Sequence, residues 1–291
     1  FALSLIQCLQ AYLVYRSKYN KLGCSRVIQS SAISFALLMA AVIGFKTNGL
    51  VWAHCMGALF SLFVVYSFCD LSPTRWIHGI KLTCIRRVLL KHYRFPLFSM
   101  PADFINVFSN QLPVFFIGAK FGANSVALYA LTVRVIAAPI SLLAGSILTV
   151  FKERAGAEYR QNGECVNAYK HAFRSLLTIA VVPFGIAWFV VEDVFSLFFG
   201  KDWRVAGQIA QILIPMYFLR FVSSPLSYTL YIGRWQKYDL LWQISLLIIT
   251  WAVFSFSNDL IKAVQAYAIG YGSLYVVYLA MSYVCASGNR E

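Results

Sequence analysis

The fold of this chain is decided by residues 95–159, which read FPLFSMPADFINVFSNQLPVFFIGAKFGANSVALYALTVRVIAAPISLLAGSILTVFKERAGAEY. This stretch holds two long apolar runs, 99–118 and 125–151, separated by a short polar segment at 120–124. A helix needs about 20 mainly apolar residues to cross the hydrocarbon core of a bilayer. The pattern therefore predicts two membrane-spanning helices joined by a tight hairpin.

Both predicted helices carry polar residues at membrane depth. Asp103, Asn106 and Asn110 follow each other at spacings of three and four, so they share one helix face. Gln111 comes next, and Arg134 lies in the second helix. Charged side chains are costly in hydrocarbon, so Asp103 and Arg134 should face the protein interior, a water-filled cavity or each other. Charges and prolines at this depth are typical of transporters.

The composition of the whole chain indicates a membrane protein. Of its 291 residues, 60% are hydrophobic and only 12% are charged, and the mean hydropathy is +0.68. Soluble domains are about 25% charged. We therefore expect an all-α polytopic membrane protein with about nine spans. The nine predicted spans cover about residues 1–15, 27–45, 49–69, 99–118, 125–151, 172–189, 206–232, 240–256 and 263–285.

The first residues of the chain predict that its first span is incomplete. Residue 1 is not a methionine, and it already lies inside an apolar run. A secretory signal would need a basic flank before such a run and a small-residue cleavage site after it. We interpret the first span as incomplete and the chain as truncated at its N-terminus, with earlier spans missing.

The net charge of +14 is explained by topology. Eighteen of the 25 lysines and arginines fall on alternate loops on one side, five fall on the other side, and Arg134 and Arg220 lie within spans. Such a bias marks the basic side as cytoplasmic. It predicts a multi-pass membrane protein with a cytoplasmic C-terminus. No nucleic-acid partner is needed, although the basic loops are suited to contact anionic lipids.

The same spans suggest a division into domains. Residues 1–69 form a group of three spans, and residues 99–285 form a bundle of six, with a cytoplasmic tail at 286–291. The basic connection at 70–98 has apolar residues at roughly helical spacing, which favours an amphipathic linker helix on the membrane surface. The alternative is a solvated loop that only sets the topology.

A second polar stripe occurs in the seventh predicted span, where Arg220, Ser224 and Ser227 share a helix face. The last two spans are plainer. The four histidines are scattered, and the seven cysteines include no Cys-x-x-Cys pair. The sequence thus predicts no metal site, no cofactor and no catalytic residue, and we interpret the chain as a transporter and not an enzyme.

Several segments point to a known family. They are FP at 95–96, QLPV at 111–114, YAL at 129–131, FGKDW at 199–203 and SPL at 224–226. Together with Arg134 and Pro139, they resemble the Wzx-type polysaccharide flippases of the MOP superfamily, which are relatives of the MATE transporters. The resemblance covers nearly the whole chain and is most specific over residues 95–159.

The resemblance implies a MATE-like fold of about twelve helices in two bundles around a central cavity, of which this chain holds helices 4–12. It implies export of undecaprenyl-diphosphate-linked repeat units to the outer leaflet by alternating access, for O-antigen, capsule or exopolysaccharide. Expected partners are the lipid-linked oligosaccharide, membrane lipids, and polysaccharide polymerase or chain-length proteins.

Two groups of residues are candidates for the transport site. Arginine donates bidentately to phosphates, while amides and hydroxyls suit sugars. Asp103 is the candidate for proton or sodium coupling, although Asp103 and Arg134 are also placed to form a structural ion pair, and Arg220 to lie near the interface. The candidate substrate-binding residues are Arg134, Arg220, Asn106, Asn110, Gln111 and Ser224.

Two other functions stay open. A MATE-like drug or metabolite exporter would favour acidic cavity residues for cationic drugs, whereas the expected cavity holds two arginines, Arg134 and Arg220, against Asp103 alone. A membrane glycan polymerase or ligase would need a larger external region than residues 191–205 provide.

Overall fold

The structure is a computed structural model that describes residues 2–16, 18–44, 47–69 and 82–288. Within these ranges every regular element is a helix, with a π-helical turn at Phe95–Ser99 and a 3₁₀ turn at Lys201–Trp203. The helices are α1 (Ala2–Tyr15), α2 (Tyr19–Val42), α3 (Thr47–Phe68), α4 (Leu82–Lys91), α5 (Met100–Asn162), α6 (Val166–Phe199), α7 (Arg204–Leu226), α8 (Thr229–Ile232), α9 (Gln236–Phe256) and α10 (Leu260–Ala286).

Seven helical segments in these ranges are long and apolar enough to cross a membrane. This confirms an all-α polytopic membrane protein. One segment, Phe95–Asn162, is 68 residues long and contains the predicted spans 99–118 and 125–151. The shorter apolar helix Ala2–Leu13 lies on the first predicted span. The nine predicted spans therefore fall on seven long helical segments and one short helix. The two-bundle, MATE-like arrangement of these helices stays a prediction.

The predicted hairpin lies inside α5, at Gly122. This residue has φ 81° and ψ 173°, a conformation that favours glycine and interrupts the helix. A Cβ on Gly118 would lie 3.2 Å from Cγ2 of Val126, whereas eight residues of straight helix span about 12 Å. The chain therefore turns back at Gly122, which confirms the hairpin and divides α5 into a first arm, 100–121, and a second arm, 123–162.

The chain divides into two compact units, Phe1–Lys91 and His92–Glu291. In the first unit, α2 and α3 lie close together. The evidence is that a Cβ added to Gly57 would lie only 2.9 Å from Cα of Ile33. Residues 70–81 of the predicted linker lie outside the described residues, while 82–91 form α4. The linker helix as a whole stays a prediction. The core of the first unit is formed by Ile6, Leu9, Leu13, Val65 and Cys69.

The second unit has a core rich in tyrosine and an apolar outer surface. Large apolar side chains such as Phe189, Leu197 and Phe256 are 73–81% exposed. Such faces suit contact with lipid, which solvates apolar side chains as well as a protein core does. The buried tyrosines come from α5, α6, α7 and α10, and they are Tyr129, Tyr169, Tyr217, Tyr267, Tyr271, Tyr275 and Tyr278.

Hydrogen bonds to backbone carbonyls define two ends of this unit. At one end, Cys165 N donates to Ala286 O (2.8 Å), and Arg94 Nη1 donates to Arg234 O (3.0 Å). At the other end, Lys120 Nζ of the α5 hairpin donates to Ser257 O (3.4 Å) in the loop after α9. We call the first the basic end, because the loops there are the basic ones of the second unit. Its assignment to the cytoplasm stays a prediction.

The packing of α6 against α7 generates a prediction about Gly207. A Cβ at this position would lie 2.7 Å from Cα of Glu192, so the two backbones would have to separate. We expect Gly207→Ala to cost about 1–3 kcal/mol of stability, as overpacking does, and to lower the melting temperature in detergent. Size-exclusion chromatography after heating measures this. The matched control is Gly185→Ala, where a Cβ meets nothing within 4 Å; equal melting temperatures would contradict the close packing.

The loop between α5 and α6 gives a prediction about pH. Burial, followed by the charges of Glu158 and Glu164, raises the pKa of the Cys165 thiol to about 11. Only the thiolate is alkylated, and below its pKa the thiolate fraction rises about tenfold per pH unit. We therefore expect iodoacetamide labelling of Cys165 to keep rising from pH 8 to pH 10, read by peptide mass spectrometry. An exposed thiol from Ser287→Cys should level off near its pKa of about 8.5. A plateau for Cys165 by pH 9 would refute the shift.

Candidate functional site

A polar cavity of about 180 Å³ lies in the second unit, towards its basic end. Asp103 and Ser224 in its wall are exposed, so the cavity opens to the surface of the unit. Polar groups inside membrane-spanning segments are costly and usually mark function. The lining residues are Asp103, Asn106, Arg220, Ser224, Ser227, Tyr231, Asp239, Trp242, Gln243, Tyr275 and Tyr278.

The cavity forms where the polar stripes of several helices meet. The first arm of α5 supplies Asp103 and Asn106 from one face, and α7 supplies Arg220 and Ser224 from another. After α7, the chain turns through the four-residue helix α8 before α9 begins. The first two turns of α9 and the last three turns of α10 complete the wall. All of these positions lie towards the basic end of their helices.

A chain of hydrogen bonds joins α7, α5 and α9 beside the cavity. Arg220 Nη1 donates to Asn110 Oδ1 (3.0 Å). Asn110 Nδ2 donates to Asn106 O (2.7 Å) and to its Oδ1 (3.1 Å). Asn106 Nδ2 in turn donates to Gln243 Oε1 (2.9 Å). Linked hydrogen bonds reinforce one another at low dielectric. This series of hydrogen bonds therefore fixes the direction of the Arg220 guanidinium.

A second group of contacts surrounds Asp239, which is only 2% exposed. Its Oδ1 accepts from the hydroxyl of Tyr278 (2.5 Å) and its Oδ2 from the hydroxyl of Tyr231 (3.3 Å). Trp242 stacks on Tyr278 with ring centroids 3.9 Å apart and donates from Nε1 to Leu274 O (2.8 Å). The carboxylate and the aromatic wall are therefore held in place from both sides.

Several groups at the cavity are left for a ligand. The Asp103 carboxylate and the Ser224 and Tyr275 hydroxyls make no hydrogen bond to the described residues, although Tyr275 is 4% exposed. Of the five N–H donors of the Arg220 guanidinium, one forms a hydrogen bond to a described residue, and that residue is Asn110. The cavity can therefore both accept and donate hydrogen bonds. The described part of the chain contains no cluster of three side chains that would hold a metal ion.

The structure brings together most of the residues that the sequence singled out. Asn106, Arg220, Ser224 and Asp103 line the cavity, and Asn110 joins it through its bond to Arg220. Arg220 is bonded inside the bundle and does not extend towards the interface. Gln111 does not line the cavity and is exposed.

Arg134 also lies away from the cavity. Thr132, two residues earlier, is buried and donates to Ala206 O (2.9 Å), so Arg134 lies on the opposite side of the helix and is exposed. No ion pair between Arg134 and Asp103 occurs in the described ranges. This cavity holds Arg220 with Asp103 and Asp239, and the expectation of two arginines against one aspartate in the transport cavity stays a prediction.

The sequence interpretation missed the contributions of α9 and α10. Asp239 and Gln243 are one helical turn apart in a span that looked plain. On α10, buried tyrosines recur at spacings of four, four and three, which places them on one face. That regular spacing of hydroxyl-bearing side chains was a signal for a polar interior. The four tyrosines are Tyr267, Tyr271, Tyr275 and Tyr278.

Comparison with known proteins identifies the family. The family described as Polysaccharide biosynthesis protein matches residues 1–208, which is well over half of the chain. The matched region includes both arms of α5 and therefore Asp103, Asn106 and Arg134, while Arg220 and Asp239 lie beyond it. No curated protein and no solved structure matches the chain. This membrane protein belongs to the polysaccharide biosynthesis protein family.

Proposed function

We propose that the protein exports undecaprenyl-diphosphate-linked oligosaccharide units from the cytoplasmic to the outer leaflet of a bacterial inner membrane, by alternating access. The observation that carries this proposal is the polar cavity among membrane-spanning helices in a polysaccharide biosynthesis protein. The units would serve O-antigen, capsule or exopolysaccharide, and polymerase or chain-length proteins would act on them afterwards.

The substrate explains why such a cavity is needed. Sugar hydroxyls and a diphosphate cannot cross about 30 Å of hydrocarbon without partners, since each unpaired polar group costs several kcal/mol there. The cavity offers donors from Arg220, acceptors from Asp103, and hydroxyls from Ser224 and Tyr275. These groups would replace water around the polar part of the substrate during transfer.

Arg134 supplies a second argument for a polar path. It lies 12 residues after Gly122, or about 18 Å from the hairpin at 1.5 Å per residue, and is therefore deep in the membrane. Its side chain is exposed in the second unit and has no partner among the residues described. Lipid is a costly neighbour for this charge. We propose that Arg134 faces the transport path and binds the diphosphate through its planar fork of donors.

A second candidate is a MATE-like exporter of cationic drugs. The observation that favours it is the balance of charge in the cavity, where Asp103 and Asp239 outnumber Arg220. The family match favours a glycan substrate instead. The two candidates differ in what accumulates inside cells that lack the protein, which makes them separable by experiment.

The export proposal predicts an effect of Arg134→Ala. The full-length gene product that contains this chain is expressed in a bacterium that lacks its own exporter of lipid-linked glycan, and surface polysaccharide is assayed. We expect export by the unmodified protein and a loss of at least about tenfold in the variant, because a hydrogen bond to a charged group contributes about 1.5–3 kcal/mol. The matched control is Arg204→Ala, which removes an exposed arginine paired with Glu192 at 3.6 Å and should export normally.

Membrane levels of all three proteins are compared by immunoblot. If the unmodified protein fails while lipid-linked units accumulate inside, the export proposal is wrong, and ethidium efflux in the same cells tests the drug exporter. If Arg134→Ala exports as well as Arg204→Ala, Arg134 does not bind the diphosphate.

A further inference from the structure

We infer that the polar cavity receives one uncharged sugar ring of the lipid-linked unit and excludes its diphosphate. This inference rests on the proposed export function and adds which part of the substrate the cavity binds. It departs from the expectation that Arg220 binds phosphate. Three observations carry it, namely the charge of the cavity, its unused hydrogen-bonding groups, and its size and aromatic wall.

The charge of the cavity argues against a diphosphate. Among the described residues that line the cavity, Arg220 is the one cation, and Asp103 and Asp239 are the two acids. When Asp103 is ionised it matches Arg220, so the cavity then has no net positive charge whether Asp239 is ionised or neutral. Both phosphates of a diphosphate are negatively charged at neutral pH, so the ligand would meet like charge. The guanidinium is moreover directed at the neutral amide of Asn110.

The unused groups suit neighbouring hydroxyls. The two oxygens of Asp103 can accept from two adjacent sugar hydroxyls, and Arg220 can donate to a third oxygen. Tyr275 is a further group of this kind, because its ring is buried while its hydroxyl makes no hydrogen bond to the described residues and the residue lines the cavity. A hydroxyl of the ligand can therefore bond to it.

The size and the wall of the cavity point to one ring. Its volume of about 180 Å³ is below the about 300–1,000 Å³ of pockets for drug-sized ligands, and it equals about six waters at about 30 Å³ each. That is room for a single ring and not for an oligosaccharide. Trp242 and Tyr275, with ring centroids 5.3 Å apart, also lie in the wall. Because they are only 4–5% exposed, they add a small apolar area, suited to the C–H groups of a sugar, to a wall that is mainly polar.

Charge is tested first with a thiol inside the cavity. In Ser224→Cys, the labelling rates of a cationic and an anionic methanethiosulfonate are measured by mass spectrometry of the peptide, and 2-mercaptoethanol gives the reference ratio in solution. We expect the cationic reagent to be favoured by about threefold or more relative to that reference, and Asp103→Asn to lower the preference. A preference for the anionic reagent would show a cationic cavity and overturn the inference.

Ligand protection is tested next in the same Ser224→Cys protein. An uncharged maleimide is added with glucose, galactose or N-acetylglucosamine at about 50 mM, since a single ring binds weakly, or with inorganic pyrophosphate at equal ionic strength. We expect at least one sugar to slow labelling about twofold or more and pyrophosphate to have no effect. Adding Tyr275→Phe, which removes only the hydroxyl, should weaken the protection, with folding checked by size exclusion.

Protection by pyrophosphate, or by none of the sugars, would overturn the inference. These outcomes are distinct from a failure of the export proposal. Surface polysaccharide restored by a protein whose cavity is protected by pyrophosphate would leave export standing and move the diphosphate into the cavity. Sugar protection without export would leave a sugar site in a protein of another function.

Discussion

The arrangement of the second unit depends on one constraint, that polar side chains within a membrane-spanning bundle must find partners inside the protein. The chain from Arg220 through Asn110 and Asn106 to Gln243 meets this constraint across three helices. Asp239 finds its partners in two hydroxyl groups, because Tyr231 and Tyr278 of α10 donate hydrogen bonds to its carboxylate. The bonds from Arg220 to Asn110, from Asn106 to Gln243 and from Tyr278 to Asp239 each join two helices, so they also fix how α5, α7, α9 and α10 lie around the cavity.

Much of this fold follows from the sequence. Apolar runs of sufficient length predicted the spans, since the thickness of the bilayer sets the length of a helix. The short polar segment at 120–124 between two apolar runs predicted the hairpin, and the structure places the turn at Gly122, where glycine tolerates the positive φ. The polar stripe of Asp103 and Asn106 predicted an interior face, because helical spacing alone determines which side chains share a side.

The composition of the cavity did not follow in the same way. Helical spacing says which residues share a face, but it does not say which face meets another helix. Arg134 and Asp103 looked equivalent in sequence, yet Thr132 packs against α7 and places Arg134 on the exposed side. Asp239 looked like a residue at the edge of a span, yet the turn after α7 buries it. Such outcomes depend on tertiary packing, which one sequence does not specify.

The separation of Arg134 from the cavity has a consequence for transport. A carrier must bind its cargo well enough to admit it and weakly enough to release it. In our proposals, the diphosphate meets a single arginine on the second arm of α5, and one sugar ring meets a cavity without net positive charge. Neither position then holds the whole substrate tightly. Binding shared between two modest positions would let the lipid-linked unit leave once the path opens to the other side.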